Sequence, residues 1–189
     1  MSQQQLLSRV ITEMWHLNVP CMLTGSLVSS LQGEPRSTHD IDLVVDLHAD
    51  RIEELLRAFS SAEFYVSRSA VEEAVRQRRM FNLLELQSGD KVDFWLLTDS
   101  PFDQSRFARR STIEFDDIVI DVSSPEDTIL MKLKWTMDSG GSEKQFHDAL
   151  RVFEVHAQVL NRDYLDRWVT ELAVSELWNR LLSEAQPIE

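Results

Sequence analysis

Cys21-Met22-Leu23-Thr24-Gly25-Ser26 and, after a polar loop, His39-Asp40-Ile41-Asp42-Leu43-Val44-Val45 decide how this chain folds. The first stretch holds an apolar run too short for a helix and closed by glycine, which reads as a buried strand entering a turn. The second reads as a strand in which Asp40 and Asp42 share a face while Ile41 points into the opposite layer, because side chains alternate along an extended chain. Carboxylates so placed have Cα atoms about 6–7 Å apart, close enough for their oxygens to bridge divalent ions about 3.5–4 Å apart. Beside Leu43-Val44-Val45 two like charges repel and are costly to desolvate without a cation. Mg2+ suits them, since it prefers oxygen ligands, keeps several waters and is commonly shared with phosphates.

Gly25-Ser26 stands where the first strand ends and a short helix marked by Leu27, Val28 and Leu31 begins. Backbone N–H groups and the positive end of the helix dipole there are available to an anion such as a triphosphate. The competing reading is a turn glycine with a serine cap. Asp93, in Lys91-Val92-Asp93-Phe94-Trp95, lies on the face of an alternating strand opposite Val92 and Phe94 and beside Lys91 and Trp95. If that strand neighbours the one carrying Asp40 and Asp42, Asp93 joins their pocket as a third metal ligand or as a base. Otherwise it is a polar residue on a solvated strand face. Arg36 could reach a phosphate with its guanidinium fork, or it is a solvated loop arginine.

Working outward, apolar residues at three- and four-residue intervals predict a helix over 3–17, and the spacing predicts further helices over 50–60, 69–79 and 102–109. Residues 81–86 and 91–97 flank Gln87-Ser88-Gly89-Asp90 as a hairpin, and 112–115 and 118–121 form a second one across Asp116-Asp117. After Ser124 only helical patterns occur, with Ser124 as cap and Pro125 at the first helical position. Three helices are expected there, at about 125–138, 143–160 and 163–183. The fold class is therefore α+β: a mixed β-sheet flanked by helices and followed by a C-terminal helical bundle, divided as 1–123 and 124–189.

The chain has 189 residues, 43% of them hydrophobic, enough to bury a core. A formal net charge of −13 argues against wrapping duplex DNA or an anionic membrane. Cys21 is the only cysteine, so an intramolecular disulfide and a cysteine-based zinc site are excluded. With no apolar span near the ~20 residues that cross a bilayer and no basic leader, the expectation is a cytoplasmic protein. The histidines have no metal-ligand spacing. Arg76, Arg78, Arg79, Arg106, Arg109 and Arg110 are candidates to hold an anionic acceptor, against the more common solvated face.

Taken together, Gly25-Ser26, Arg36-Ser37-Thr38-His39-Asp40-Ile41-Asp42 and the later Asp93 resemble the G-S, R-x-T-x-D-h-D and h-D-h pattern of the nucleotidyltransferase-fold superfamily related to DNA polymerase beta. The resemblance covers residues ~20–97. Its helical tail is similar to that of small bacterial members, among them AbiE-type toxin nucleotidyltransferases, through Ser124-Pro125-Glu126-Asp127, Lys132, and Lys144 with Asp148. The resemblance implies the nucleotidyltransferase fold and Mg2+-dependent transfer of a nucleoside monophosphate from an NTP such as ATP to a hydroxyl, with pyrophosphate released. Two Mg2+ ions would be held by Asp40, Asp42 and Asp93, which would also be the catalytic residues. Gly25, Ser26, Arg36, Thr38 and Lys132 would bind the nucleotide, with Lys144 and Asp148 accessory. From the residues alone, Lys132 among Ile129, Leu130, Met131 and Leu133 would instead snorkel to the surface, and Lys144 with Asp148 would be an i,i+4 pair. The acceptor is left open between an RNA end, a protein hydroxyl and a small molecule. The alternatives are a non-catalytic nucleotide-binding protein paired with a partner such as an antitoxin, and a phosphohydrolase using the same acids.

Overall fold

The computed structural model describes residues 1–115 and 118–186. They form two compact units: Met1–Thr24 with Thr38–Val122, and Gly25–Ser37 with Ser123–Glu189. The segment Gly25–Ser37 thus groups with the C-terminal helices, an arrangement that periodicity along the chain does not reveal.

The first unit is built on a mixed seven-stranded sheet. Its strands are β1 (Cys21–Thr24), β2 (Asp40–Val45), β3 (Phe64–Val66), β4 (Met80–Glu85), β5 (Lys91–Leu96), β6 (Ser111–Phe115) and β7 (Ile118–Val122), in the order β3-β4-β5-β2-β1-β7-β6. β2 runs antiparallel to β1 and parallel to β5, and the parallel pair aligns Asp40 with Lys91 and Asp42 with Asp93. Those residues therefore share one face. The other face carries Ile41, Leu43, Val92 and Phe94, all at most 1% exposed, and Phe94 stacks on Phe81 of β4 with centroids 4.8 Å apart. Both expected hairpins form, although the Asp116-Asp117 turn lies outside the described residues. β3 was not anticipated: three residues on the sheet edge, with Tyr65 exposed, are too few to show a period.

Helices α1 (Gln3–His16), α3 (Ile52–Ala58), α4 (Arg68–Gln77) and α5 (Pro101–Ala108) complete this unit. α1 opens on a capping box in which Ser2 and Gln5 satisfy each other's backbone N–H, and it buries Leu6, Leu7, Val10, Ile11 and Met14. Three residues of the arginine-dense stretches have structural roles: Arg78 caps α4 in a left-handed conformation, Arg106 is buried against Asp103 at 2.7 Å, and Arg110 binds Asp121 at 2.9 Å.

The second unit consists of α2 (Gly25–Gln32), α6 (Pro125–Asp138), α7 (Glu143–His156), α8 (Arg162–Glu171) and α9 (Ser175–Glu184). The expected helix over 163–183 is two helices. Ala173 adopts φ 57°, a left-handed turn without glycine or proline to announce it, and buried Val174 starts the new direction. Trp168 and Trp178 are buried, the latter edge-on to Phe153 of α7 at 5.6 Å. Ser124 caps α6 by accepting from the Asp127 N–H, while the Asp127 carboxylate accepts from the Ser124 and Tyr164 hydroxyls at 2.7 Å each. Glu126 accepts from the Asn161 N–H at 2.9 Å. The Ser-Pro-Glu-Asp segment is thus a clamp between α6 and the start of α8. Among the described residues, no helix is long and apolar enough to cross a membrane.

Candidate active site

In the first unit, the acids stand on one face because two strand periods coincide. Asp40 and Asp42 are two residues apart on β2, and register sets Asp42 beside Asp93 on β5. Exposure falls across the group: the Asp40 side chain is 56% exposed, while Asp93 is buried at 6%. Asn82, the register partner of Asp93 on β4, donates its side-chain amide to Asp93 Oδ1. Lys91 Nζ donates to Asp93 Oδ2 at 2.8 Å and stands 3.8 Å from Asp40 Oδ1. The hydrogen bond to Asp93, with the charges of Asp93, Asp40 and Asp42 behind it, outweighs burial and raises the lysine above its ordinary pKa, so Lys91 is a fixed cation at neutral pH. Trp95 Nε1 donates to Asp42 Oδ1 at 3.2 Å. Thr38 Oγ1 accepts from the Asp40 N–H at 3.4 Å, which steadies the entry to β2.

Three carboxylates on one face are the donor set a hard, oxygen-seeking cation takes. Among the described residues, however, no group of three or more His, Cys, Asp or Glu side chains is arranged to hold a metal ion. Each Asp93 oxygen accepts a hydrogen bond, one from Asn82 and one from Lys91. Asp40 and Asp42 supply the carboxylate oxygens a divalent ion takes, and Asp93 stands beside them on the same face.

The second unit holds a buried polar cluster. Lys132 on α6 is 1% exposed, so it does not snorkel; its ammonium donates to Asp148 Oδ2 at 2.7 Å, Gln145 Oε1 at 2.8 Å and Ser26 Oγ at 3.3 Å. Arg36 grips the same carboxylate with Nε at 2.9 Å and a terminal nitrogen at 2.8 Å, and that nitrogen also donates to Ser26 Oγ at 2.9 Å. Ser29 Oγ donates to Asp148 at 3.3 Å. Burial works to raise the Asp148 pKa, but the hydrogen bonds from Arg36 and Lys132 prevail and hold the carboxyl below its ordinary range. Gly25, at φ 74°, turns the chain into α2 in a conformation that suits glycine. Lys144 is exposed on α7 and does not join the cluster; Asp148 pairs with Lys132 and Arg36 instead.

The sequence resemblance grouped Ser26, Arg36 and Lys132 as nucleotide-binding residues with Asp148 as accessory, but it did not foresee that Asp148 pairs with both Arg36 and Lys132, and it missed Ser29, Asn82 and Gln145. Alternation on β4 offered a signal for Asn82. The long-range contacts of Ser29 and Gln145 had none.

No family model matches the chain, and no curated protein sequence is significantly similar to it. Solved structures are. The crystal structure of ANT(2'')-Ia in complex with adenylyl-2''-tobramycin aligns over 93% of this chain and 99% of its own, with TM-score 0.59 and 13% identity. An antigenic nucleotidyltransferase-like protein from Paracoccidioides brasiliensis aligns over 97% and 94%, with TM-score 0.55 and 16% identity. This chain has the nucleotidyltransferase fold. The lincosamide antibiotic adenylyltransferase LnuA, in its lincomycin-bound crystal structure, shares that fold over 80% of this chain and 96% of its own, with TM-score 0.55 and 14% identity. On the nucleotidyltransferase fold of this chain, Asp40, Asp42 and Asp93 lie on adjacent parallel strands.

Proposed function

We propose that this protein transfers a nucleoside monophosphate from an NTP to a hydroxyl acceptor and releases pyrophosphate. The observation that carries the proposal is the β2–β5 register, which sets Asp93 beside Asp42 on the face that Asp40 also occupies. Asp40 and Asp42 would hold Mg2+, which when bound supplies charge neutralisation to the phosphates. The acceptor oxygen attacks the α-phosphorus, its proton passes to the Asp93 carboxylate, and the bond to the bridging oxygen breaks as pyrophosphate leaves. Asp93 retains acceptor capacity for this, because a carboxylate offers about four lone-pair sites and Asn82 and Lys91 use one each.

The triphosphate would be met by the backbone N–H groups at the start of α2, by Ser26 and by Arg36, whose side chain keeps 26% exposure. Lys132 and Asp148 hold Ser26 and Arg36 in fixed rotamers, and Lys132 supplies positive charge behind Ser26. Thr38 belongs to the same set through its hold on the start of β2. A small-molecule hydroxyl is the first acceptor to test: ANT(2'')-Ia is an antibiotic-resistance factor and LnuA a lincosamide antibiotic adenylyltransferase, and a net charge of −13 opposes an RNA acceptor. With its free cysteine, the chain suits a reducing cytoplasm.

The test is thermal unfolding with each NTP, with and without Mg2+, on wild type and on Asp40→Asn/Asp42→Asn. A nucleotide at 100 times its Kd adds about 2.7 kcal/mol, about 5–11 °C for a chain of this size. That shift should require Mg2+ and vanish in the double variant, and pyrophosphate release with an acceptor then separates catalysis from simple nucleotide binding. If no NTP shifts the wild type at saturating Mg2+, the proposal fails.

A further inference from the structure

Lys91 stands where an acid-lined metal site would ordinarily want a metal ion. As the register partner of Asp40 and two residues before Asp93 on the same face of β5, it can reach both carboxylates from one rotamer. Its ammonium lies 2.8 Å from Asp93 and 3.8 Å from Asp40. Asn82 secures the other Asp93 oxygen, so that carboxylate is held in place without any ion. A second divalent ion within a few ångströms of the ammonium would meet like-charge repulsion and would have to displace Lys91 from Asp93.

We propose that Lys91 takes the place of one of the two divalent ions, so that the acid face works with a single metal ion at Asp40 and Asp42 and a built-in ammonium at Asp93. This inference rests on the nucleotidyl-transfer reading above and specifies its metal requirement. Lys91 acts through Asp93: it fixes the carboxylate that receives the acceptor proton, and it contributes positive charge beside the transferring phosphate. It is a positioning residue. The transfer itself is unchanged in its bonds, with acceptor oxygen to phosphorus formed and phosphorus to bridging oxygen broken.

The experiment uses the full chain with Mn2+ as the probe and α,β-methylene-ATP as a nucleotide that cannot be cleaved at the α-phosphate. Bound Mn2+ is counted by the loss of the free-ion electron paramagnetic resonance signal, and spin coupling between ions reports a pair about 3.5–4 Å apart. The wild-type complex should hold one uncoupled ion, Lys91→Met should hold two coupled ions, and Lys91→Arg should return to one. A purely structural role for Lys91 would move stability and leave the ion count alone. Two coupled ions in wild type, or a single ion in a folded Lys91→Met chain, would overturn the inference while leaving nucleotidyl transfer standing. If α,β-methylene-ATP with Mn2+ gives wild type no thermal shift, the functional proposal itself fails and this one falls with it. The wild-type count decides the matter even if Lys91→Met does not fold.

Discussion

Asp148→Ala should destabilise the second unit severely, because this carboxylate is the shared acceptor for Lys132, Arg36 and Ser29. Lys132 dominates the cost: at 1% exposure it cannot regain water, and the hydrogen bonds it keeps to Ser26 Oγ and Gln145 Oε1 are to neutral groups. Arg36, at 26% exposure, recovers part of its hydration and adds little. Stranding one charge of a buried pair costs about 3–5 kcal/mol, which for a chain of this length corresponds to a fall in Tm of about 6–20 °C. The assay is thermal and urea unfolding followed by circular dichroism and tryptophan fluorescence, compared with the double variant Lys132→Met/Asp148→Leu. Removing both charges spares their desolvation, so the double variant should be clearly more stable than Asp148→Ala. The pH dependence has a fixed sign. Folding depresses the Asp148 pKa from its ordinary 3.8, so the stabilisation is fully present above that value and is lost as pH falls through the lower folded value. The gap between wild type and Asp148→Ala should stay constant from pH 7 to 5 and shrink in stronger acid. A fall in Tm below about 3 °C, or a double variant no more stable than the single, would refute the reasoning.

Two further outcomes follow from local geometry. A Cβ on Gly33 would lie 2.9 Å from the Val152 backbone nitrogen and 3.1 Å from the Ser29 carbonyl oxygen, atoms that cannot swing aside. Gly33→Ala should therefore cost about 1–3 kcal/mol in urea unfolding, and an unchanged midpoint would refute a tight contact of Gly33 with α7. Glu85 is held down to about 2 from its ordinary 4.5, first by the Ser88 hydroxyl and then by the Gln87 and Ser88 N–H groups. Its contribution is present above pH 4.5 and lost as pH falls toward 2, so Glu85→Gln should flatten the acid limb of stability across that window, and an identical limb would contradict the assignment.

Much of the first unit was legible in the sequence because its strands are short apolar runs punctuated by glycine and polar turns. The meeting of Asp42 with Asp93 needed only alternation within each strand and the condition that the strands be neighbours, which the fold supplies. Other features left no local trace. β3 is an edge of three residues whose pairing comes entirely from β4. The break at Ala173 depends on the burial of Val174 and Trp178 just beyond it. Lys132 shows why the polar cluster was opaque: on propensity and hydropathy an isolated lysine on an apolar helix should seek water, and only acceptors brought from α2 and α7 make its burial tolerable.

The grouping of Gly25–Ser37 with the C-terminal helices also has a consequence during synthesis. Ser29 and the Asp148 carboxylate it meets are 119 residues apart in the chain. At about 5–20 residues per second, α2 therefore leaves the ribosome about 6–24 s before α7 is made. During that interval Val28 and Ser29, buried in the finished protein, have no α7 to cover them. The chain also enters and leaves the second unit at Gly25 and Ser37 and enters it again at Ser123, so neither unit is a contiguous fragment. A truncated chain ending at Val122 would carry α2 without the helices it packs against, and one beginning at Ser123 would lack α2 altogether.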